Sequence, residues 1–347
     1  SSSLKVQREV SPLDGLKERL AGVADVDYAR GYVGDVTGEY NGVVTGQNLA
    51  DSRSADELIA EAVEKAKTAD YVIFVGGLNK STGQDCEDSD REGLGLPYGQ
   101  DRVVEALAGV NDNVIYVNVS GNAVAMPWID KVPAALQVWF LGSEAGNSIA
   151  SILVGDANPS GKLPFTFPVA LQDVPAHKFG ESSYPGIKRA DSDIWDVTYD
   201  EGIFVGYRWY DKEKVKTLFP FGHGLSYTTF EYGKASVDKK EMAADGEITV
   251  SVPVKNTGNR SGAEVVQLYV KDKKSSLPRP EKELKGFCKV ELQPGEEKTV
   301  TFKIGKDALS YFDAGKHEWV AEPGDFEAVV AASAADVKST VKFKLVE

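Results

Sequence analysis

The stretch 71–97 constrains the fold more strongly than any other part of this sequence. It opens with an apolar, mostly β-branched and aromatic run at 71–75, which is typical of a strand buried on both faces of a parallel sheet. Two glycines, Gly76 and Gly77, end that strand. The polar segment 79–93, called the acidic loop below, then carries the carboxylic acids Asp85, Glu87, Asp88, Asp90 and Glu92.

The acidic loop is much longer than a connection between a strand and a helix requires, which is about 2–6 residues. It leaves the carboxyl end of a predicted parallel strand, where open α/β sheets bind their ligands. A carboxylic acid held there is a candidate for proton transfer. Most acidic loops only keep a surface hydrated, but an ion pair between Asp90 and Arg91 is predicted to fix this one, and apolar residues at 94–97 anchor its end. We therefore interpret the loop as a segment that holds a functional group in place.

Strands and helices alternate over the first part of the chain, which is the signature of a mostly parallel sheet flanked by helices. Ser11 followed by Pro12 predicts one helix start, and Ser54 with Glu57 predicts another through a capping box. Strands are predicted at 23–28, 71–75, 114–119, 134–140 and 163–167, and helices at 12–20, 54–66, 100–110 and 147–154.

The pattern changes after residue 167. Residues 168–229 are rich in Pro, Gly, Tyr and Trp, and we predict an ordered segment that wraps over both domains, with packing as the commoner role of its aromatic residues and sugar stacking as the alternative. From residue 230 the hydrophobic period is two, with strands predicted at 248–254, 265–270, 284–290, 298–304 and 325–332. The expected fold is an α/β sandwich (1–167), an aromatic-rich linker (168–229) and an all-β fibronectin type III-like sandwich of about seven strands (230–347).

Composition argues against several functions. The formal net charge of −14 argues against nucleic acids and anionic membrane surfaces as partners. No run approaches the ~18 apolar residues of a membrane span. Cys86 and Cys288 are predicted to be free thiols, and their spacing is not that of a zinc site. The three histidines lie far apart in the sequence and indicate neither a metal cluster nor a Ser-His-Asp set. Segment 155–162 lacks the spacing of a phosphate loop, so no cofactor is expected.

A set of short motifs runs through the whole chain. They are SPLDGL (11–16), EDSDR (87–91), NVSG (118–121), GD with NPSGKLP (155–164), YDEGIFVGY (199–207), FPFGHGLSY (219–227), VKNTG (254–258), EVVQLYV (264–270) and RPEKELKGF (279–287). Together they make the chain resemble the C-terminal portion of family 3 glycoside hydrolases of the β-glucosidase type.

The resemblance implies roles for residues in the acidic loop. In that family an N-terminal (β/α)8 barrel supplies an Asp nucleophile, and a loop of the α/β sandwich brings in the general acid/base within a Glu-Gly-x-Asp-Arg pattern. Glu87 is therefore implied as the general acid/base, with Asp90 and Arg91 as its supporting pair. Asp88 stands where the family usually has glycine, and a carboxylate there is expected to raise the pKa of Glu87.

The resemblance also implies a substrate and partners. Neither the barrel nor the first strand of the α/β sandwich is in this sequence, so we expect a barrel-bearing N-terminal chain of the same enzyme to carry the nucleophile. The expected substrate is a β-glucoside oligosaccharide, hydrolysed with retention at its terminal non-reducing β-D-glucosyl residue. The expected location is the periplasm or the extracellular space, although residues 1–5 do not resemble a signal peptide. Assembly into a homo-oligomer is left open.

Other functions stay open at this point. The chain could belong to a β-xylosidase or another β-glycosidase of the same family, because most of the sugar site is implied to lie on the barrel. A non-catalytic carbohydrate-binding or adhesion module would also use a β-sandwich and exposed aromatic residues. A flavodoxin-like cofactor binder would fit the α/β pattern, but the lack of a phosphate loop argues against it.

Overall fold

The computed structural model describes residues 6–36, 39–40, 43–44, 49–87 and 89–347. The chain divides into two compact units, Ser1–Ala157 and Asn158–Glu347, called unit 1 and unit 2 below. The domain boundaries that the sequence analysis placed after residues 167 and 229 stay predictions. Within the described residues, no helix has both the length and the apolar character needed to cross a membrane.

Unit 1 is built around a parallel sheet of three strands, Val72–Gly77, Val114–Val119 and Ala134–Gln137. The strand Val114–Val119 lies in the middle and pairs in parallel with both neighbours. Because all three strands run the same way, their carboxyl ends meet at one edge of the sheet. The chain segments that follow them therefore come together at that edge. Two short strands, Glu39–Tyr40 and Val43–Val44, form a separate antiparallel pair.

Four α-helices in the described residues of unit 1 accompany this sheet, and two of them begin at the predicted capping residues Ser11 and Ser54. They are Pro12–Arg19, Ala55–Ala66, Gln100–Ala108 and Ala145–Leu153. The Ser11 hydroxyl accepts a hydrogen bond from the Asp14 N–H at 3.2 Å. Ser54 and Glu57 form the predicted capping box, in which each side chain accepts from the other residue's backbone N–H. These contacts satisfy N–H groups that the first turn of a helix leaves without backbone partners.

Both faces of the sheet are covered. On one face Val117 and Val138 pack with Ile149 of the helix Ala145–Leu153. On the other, the ring of Tyr116 meets the fully buried Trp128 edge to face, with their centroids 4.6 Å apart. The predicted parallel sheet flanked by helices is thereby confirmed.

Two predicted strands of this part of the chain are wrong. Residues 23–28 form no strand, and Val23 is 79% exposed, because a run of suitable residues makes a strand only where another strand pairs with it. Of 163–167 only the end is extended into a strand, Phe167–Pro168, which pairs with Thr217–Phe219. The N–H of Leu163 instead donates to the carbonyl of His223, in a glycine-containing turn.

Unit 2 contains the predicted all-β sandwich. One sheet has Glu247–Asn256 next to Phe230–Tyr232, Ser236–Val237 and Glu297–Gly305. The other runs in the order Glu241–Met242, Val337–Leu345, Gly324–Ala331, Gly262–Asp272 and Glu283–Leu292. Alternate residues of Glu247–Asn256 are buried between the sheets, as a period of two requires. The described part of unit 2 thus has nine sandwich strands in sheets of four and five, against about seven expected.

The aromatic residues of the segment 168–229 fall into two groups. Trp209 and Tyr210, in the helix Tyr207–Glu213, are buried, and the ring of Tyr207 stacks on Phe221. By contrast, Trp195 is 50% exposed. The predicted packing role therefore fits the aromatic residues in the second half of this segment better than those in its first half. The remaining elements of unit 2 are Leu171–Asp173, Pro175–Lys178, Ile187–Lys188, Trp195–Asp196, Lys306–Leu309, Tyr311–Asp313 and Glu318–Val320.

Candidate active site

The strand that leads into the acidic loop ends at Gly77, whose backbone N–H and carbonyl are both hydrogen-bonded to one side chain. The Gly77 N–H donates to the side-chain oxygen of Gln100 at 2.7 Å, and the Gln100 amide donates back to the Gly77 carbonyl at 2.8 Å. Gly77 has φ +128°, and a Cβ there would lie 2.0 Å from the carbonyl oxygen of Val119. Only glycine fits this position, so the Gly-Gly end of the strand is a requirement of strand packing.

Hydrogen bonds within the acidic loop hold its first half in shape. The Asn79 N–H donates to the Gln84 side chain at 3.0 Å, and the Gln84 amide donates to the hydroxyl of Tyr98 at 2.5 Å. Further along, the Gly83 N–H donates to the Ser89 hydroxyl at 3.0 Å. The loop is therefore folded against itself and against the residue that leads into the next helix.

Asp85 ties the acidic loop to the end of the neighbouring strand. One carboxylate oxygen accepts from the Gly121 N–H at 2.6 Å, and the other accepts from the Asn122 side-chain amide at 3.2 Å. Gly121 and Asn122 follow shortly after the strand Val114–Val119. Both oxygens of one carboxylate thus bridge two segments at the carboxyl edge of the sheet.

Arg91 anchors the second half of the loop through carbonyl groups. Its guanidinium donates to the carbonyl of Ala123 at 2.8 Å and to that of Gly93 at 3.0 Å. Burial lowers the pKa of Arg91, and the nearby Asp85 carboxylate opposes that shift. The ion pair predicted between Asp90 and Arg91 stays a prediction.

A buried polar network lies under the loops at the same edge. The Asn118 amide donates to the Ser120 hydroxyl at 2.9 Å and to the Gln137 side-chain oxygen at 2.5 Å. The Asn118 oxygen accepts from the Tyr116 hydroxyl at 2.7 Å, and the Gln137 amide donates to the Ser120 carbonyl at 2.8 Å. Because buried polar groups are costly unless they are paired, this network fixes where the loops leave the sheet.

Glu87 lies on an exposed turn between these anchors. Its neighbour Cys86 is half-buried, and the Cys86 thiol lies 3.7 Å from the carbonyl oxygen of Ser89 as a weak donor. Asp88 falls outside the described residues, so its expected effect on the pKa of Glu87 stays a prediction. Glu87 is thus an exposed residue between loop segments that hydrogen bonds hold on both sides.

The described part of the chain offers little to bind a metal. It contains no group of three or more His, Cys, Asp or Glu side chains that could hold an ion. Cys86 and Cys288 are both free thiols. The chemistry that the site residues themselves offer is proton transfer by carboxylic acids.

Two features of the site were not predicted from the sequence. Asp85 was named as one acid among five, without a role, although it makes the contact between loops. Asn118 was noted only within the NVSG motif, and the signal for it was a polar residue inside an otherwise apolar, buried strand. A polar residue in such a run predicts a buried hydrogen-bond network.

The motifs of unit 2 also come together, but they form a structural junction. The Lys162 ammonium lies 3.0 Å from the Glu264 carboxylate, and both side chains are largely buried. Lys162 also donates to the Gly224 carbonyl at 2.7 Å, and the Tyr232 hydroxyl donates to Glu264 at 3.1 Å. The Asn158 side-chain oxygen accepts from the Ser226 hydroxyl and the Tyr227 N–H, and its amide donates to the carbonyl of Ser261. These motifs join the segment after residue 157 to the sandwich.

An α/β unit with a fixed acidic loop, followed by a fibronectin type III-like sandwich, defines the class of protein. Family comparisons identify both parts. Residues 1–227 match the glycosyl hydrolase family 3 C-terminal domain, and residues 264–334 match a fibronectin type III-like domain. The chain belongs to glycoside hydrolase family 3 and corresponds to its C-terminal part.

Known relatives agree with this assignment. The chain is 50% identical to a β-glucosidase of Bacteroides ovatus over 347 residues, which is all of this chain and 45% of that protein. It is 45% identical to thermostable β-glucosidase B of Acetivibrio thermocellus over 86% of this chain and 39% of that one. The chain thus spans less than half the length of these curated relatives.

Solved structures show the same fold. A family 3 β-glucosidase of Bifidobacterium adolescentis matches with a TM-score of 0.83 and 34% identity, over 98% of this chain and 46% of that one. A β-glucosidase of Kluyveromyces marxianus in complex with glucose matches with a TM-score of 0.77 and 40% identity, over 86% of this chain and 34% of that one.

Proposed function

We propose that this chain supplies the general acid/base of a retaining, exo-acting β-glucosidase, and that Glu87 is that residue. The observation that carries the proposal is the anchoring of the chain at Gly77, Asp85 and Arg91, with Glu87 exposed between Asp85 and Arg91. The names of the relatives support β-glucosides as the substrate. The nucleophile is proposed to lie on the barrel-bearing N-terminal portion, and the periplasm or the extracellular space stays the proposed location.

The proposed chemistry uses one carboxyl group twice. Glu87 first protonates the departing glycosidic oxygen while the nucleophile attacks the sugar, and a covalent glycosyl-enzyme forms. The Glu87 carboxylate then removes a proton from the water that hydrolyses this intermediate. In retaining enzymes the two carboxyl groups stand ~5–5.5 Å apart, so the position of the acidic loop must be fixed closely.

Asp90 and Arg91 are proposed to support Glu87. Arg91 reaches two carbonyl groups beyond the turn and thereby holds the chain that follows Glu87. A guanidinium has several donors in a rigid plane, so one side chain can satisfy both carbonyls at once. Arg91 therefore acts as a positioning residue.

The test is Glu87→Ala in the full-length enzyme. Hydrolysis of disaccharides should fall ~10²–10⁴-fold, because an alkoxide leaving group needs its proton from the acid. Aryl β-glucosides with acidic leaving groups need little protonation, so their first step should survive. The second step then limits turnover, because no base activates water.

Azide gives the sharper result. It needs no base and can enter the space that Glu87 vacated, so it should restore turnover of the aryl β-glucoside and give a β-glucosyl azide of retained configuration. Glu92→Ala is the matched control, since Glu92 is an exposed acid of the same loop. Normal disaccharide hydrolysis by Glu87→Ala, or azide rescue in the control instead, would contradict the assignment.

Two alternatives are separated by simple measurements. A β-xylosidase or another β-glycosidase of the family would show a higher kcat/KM on its own aryl glycoside than on the β-glucoside. A non-catalytic carbohydrate-binding module would leave the full-length protein without hydrolytic activity on any of these glycosides. We favour the β-glucoside because β-glucosidase is the name of the two curated relatives described above.

A further inference from the structure

Unit 2 exposes two contiguous aromatic rings on a short hairpin. The strands Tyr311–Asp313 and Glu318–Val320 pair antiparallel and place Phe312 opposite Trp319. Trp319 is 68% exposed and Phe312 is 47% exposed. Their rings meet edge to face with centroids 5.7 Å apart and an interplanar angle of 66°. An indole and a phenyl ring side by side in water form an apolar surface that a ligand could cover.

The hairpin is held firmly from its other side. Side chains alternate along a strand, so Tyr311 points away from Phe312. The Arg279 guanidinium lies over the Tyr311 ring, 5.6 Å from its centroid, and donates to the carbonyl of the fully buried Leu309 at 2.7 Å. The aromatic pair therefore stands on a fixed base. A surface that is already ordered loses little conformational entropy when it binds a ligand.

Polar groups surround the two rings. Lys316 and His317 are both exposed at the turn of the hairpin. The Lys316 ammonium lies 3.3 Å from the Asp313 carboxylate, and the His317 ring meets Phe312 edge to face at a centroid distance of 6.3 Å. The turn beside the rings thus carries an imidazole and an ammonium group, and the charge of Lys316 is paired with that of Asp313. A pyranose ring has the matching pattern, with apolar C–H faces and hydroxyl groups around the rim.

The small area of the surface favours a sugar over a protein as its ligand. An aromatic side chain buries about 150–250 Å² when fully covered, so two of them fall well short of the roughly 800 Å² per partner that a stable protein interface uses. Because the charge of Lys316 is paired with that of Asp313, the turn favours a neutral ligand over a polyelectrolyte. A second copy of this chain therefore fits the surface less well than one or two sugar rings.

We propose that Phe312 and Trp319 form a carbohydrate-binding surface for β-linked glucan chains, in addition to the candidate active site in unit 1. The choice of a glucan rests on the proposed function. The surface would hold the enzyme on a polymeric substrate through stacking of pyranose faces on the two rings, with hydroxyl groups bonded to the turn residues.

The experiment is native gel electrophoresis of the full-length enzyme in gels that contain soluble mixed-linkage β-glucan. The wild-type enzyme should be retarded relative to a gel without glucan. Trp319→Ala and Phe312→Ala should each weaken this binding roughly three- to tenfold. The matched control is Phe287→Ala, because Phe287 is a 71% exposed aromatic residue elsewhere in unit 2 and should leave retardation unchanged. All three variants should keep the wild-type kcat/KM on an aryl β-glucoside.

Three results would overturn the proposal. They are a wild-type enzyme that is not retarded, an equal loss in Phe287→Ala, and a changed sedimentation coefficient in Trp319→Ala, which would identify a protein interface. Failure of the proposed function looks different. In that case the wild-type enzyme would not hydrolyse the aryl β-glucoside, whereas retardation by glucan would still depend on Trp319.

Discussion

At the scale of single residues, Asp85 decides how the acidic loop is placed. Its two carboxylate oxygens accept hydrogen bonds from Gly121 and Asn122. Hydrogen bonds to an ionised group are roughly twice as strong as those between neutral groups. Asp85 therefore positions the acidic loop, and under the proposed function it would act on the reaction only through the place it gives to Glu87.

Replacement of Asp85 should lower activity without removing the acid/base. In Asp85→Ala we expect kcat to fall on the order of 10- to 100-fold, because small displacements of a catalytic group are costly, with KM much less affected. Azide should not restore turnover, since Glu87 still occupies its place. Asp85→Asn keeps an acceptor for the Gly121 N–H and should be less impaired. The measurements are kcat and KM with and without azide, and unchanged kcat in Asp85→Ala would argue against this role.

At the scale of elements, two helices of unit 1 meet backbone to backbone. A Cβ on Gly15, in the helix Pro12–Arg19, would lie 2.3 Å from the carbonyl group of Gly146. A Cβ on Gly146, in the helix Ala145–Leu153, would lie 2.0 Å from the carbonyl oxygen of Ser11. The glycine of the SPLDGL motif is therefore a packing requirement of this helix pair.

Gly15→Ala tests that contact because two effects oppose each other. Alanine favours a helix interior over glycine by about 1 kcal/mol. The overlap with the Gly146 backbone requires the helices to separate, and such overpacking typically costs about 1–3 kcal/mol or more. We expect a net loss of stability in urea-induced unfolding. Gly109→Ala is the control, because its Cβ would approach no closer than 3.4 Å to any neighbour. A Gly15→Ala protein as stable as the wild type would contradict the close crossing.

At the scale of the whole molecule, one histidine links stability to pH. His223 stacks on Phe219 with centroids 5.3 Å apart, beside the junction formed by Lys162 and Glu264. Burial lowers the pKa of His223, the charge of Lys162 adds to this shift, and Asp336 opposes it. The folded state therefore prefers the neutral imidazole.

The sign of the pH dependence follows from that preference. In the unfolded chain the imidazole binds a proton near its ordinary pKa of 6.5, whereas the folded state binds it only at lower pH. Stability that is present above pH ~6.5 should therefore be lost as the pH falls below it. Urea midpoints at pH 7.5 and pH 5.5 measure this, and the decrease should be smaller in His223→Gln. An equal decrease in that variant would assign the pH dependence to other groups.

Local sequence signals were enough to predict several elements of the fold. The strand Val72–Gly77, the capped start of Ala55–Ala66 and the alternating strands of unit 2 were predicted, because an apolar run, a capping pair and a period of two are each read within one short segment. The strand predicted at 23–28 was wrong, because a strand forms only where a neighbouring strand pairs with it. Glu87 was proposed as the general acid/base from a sequence motif, and a motif identifies a residue without giving its position in space.

The side chains that hold the site in place could be identified only from the three-dimensional structure. Asp85 and Gly121 are 36 positions apart, and Lys162 meets Gly224 across 62 positions. Phe312 and Trp319 lie on one face only because the hairpin register sets them opposite each other. The physical reason is the same in each case. A hydrogen bond or ring contact depends on distances that the chain path sets, and residue type alone does not contain that path.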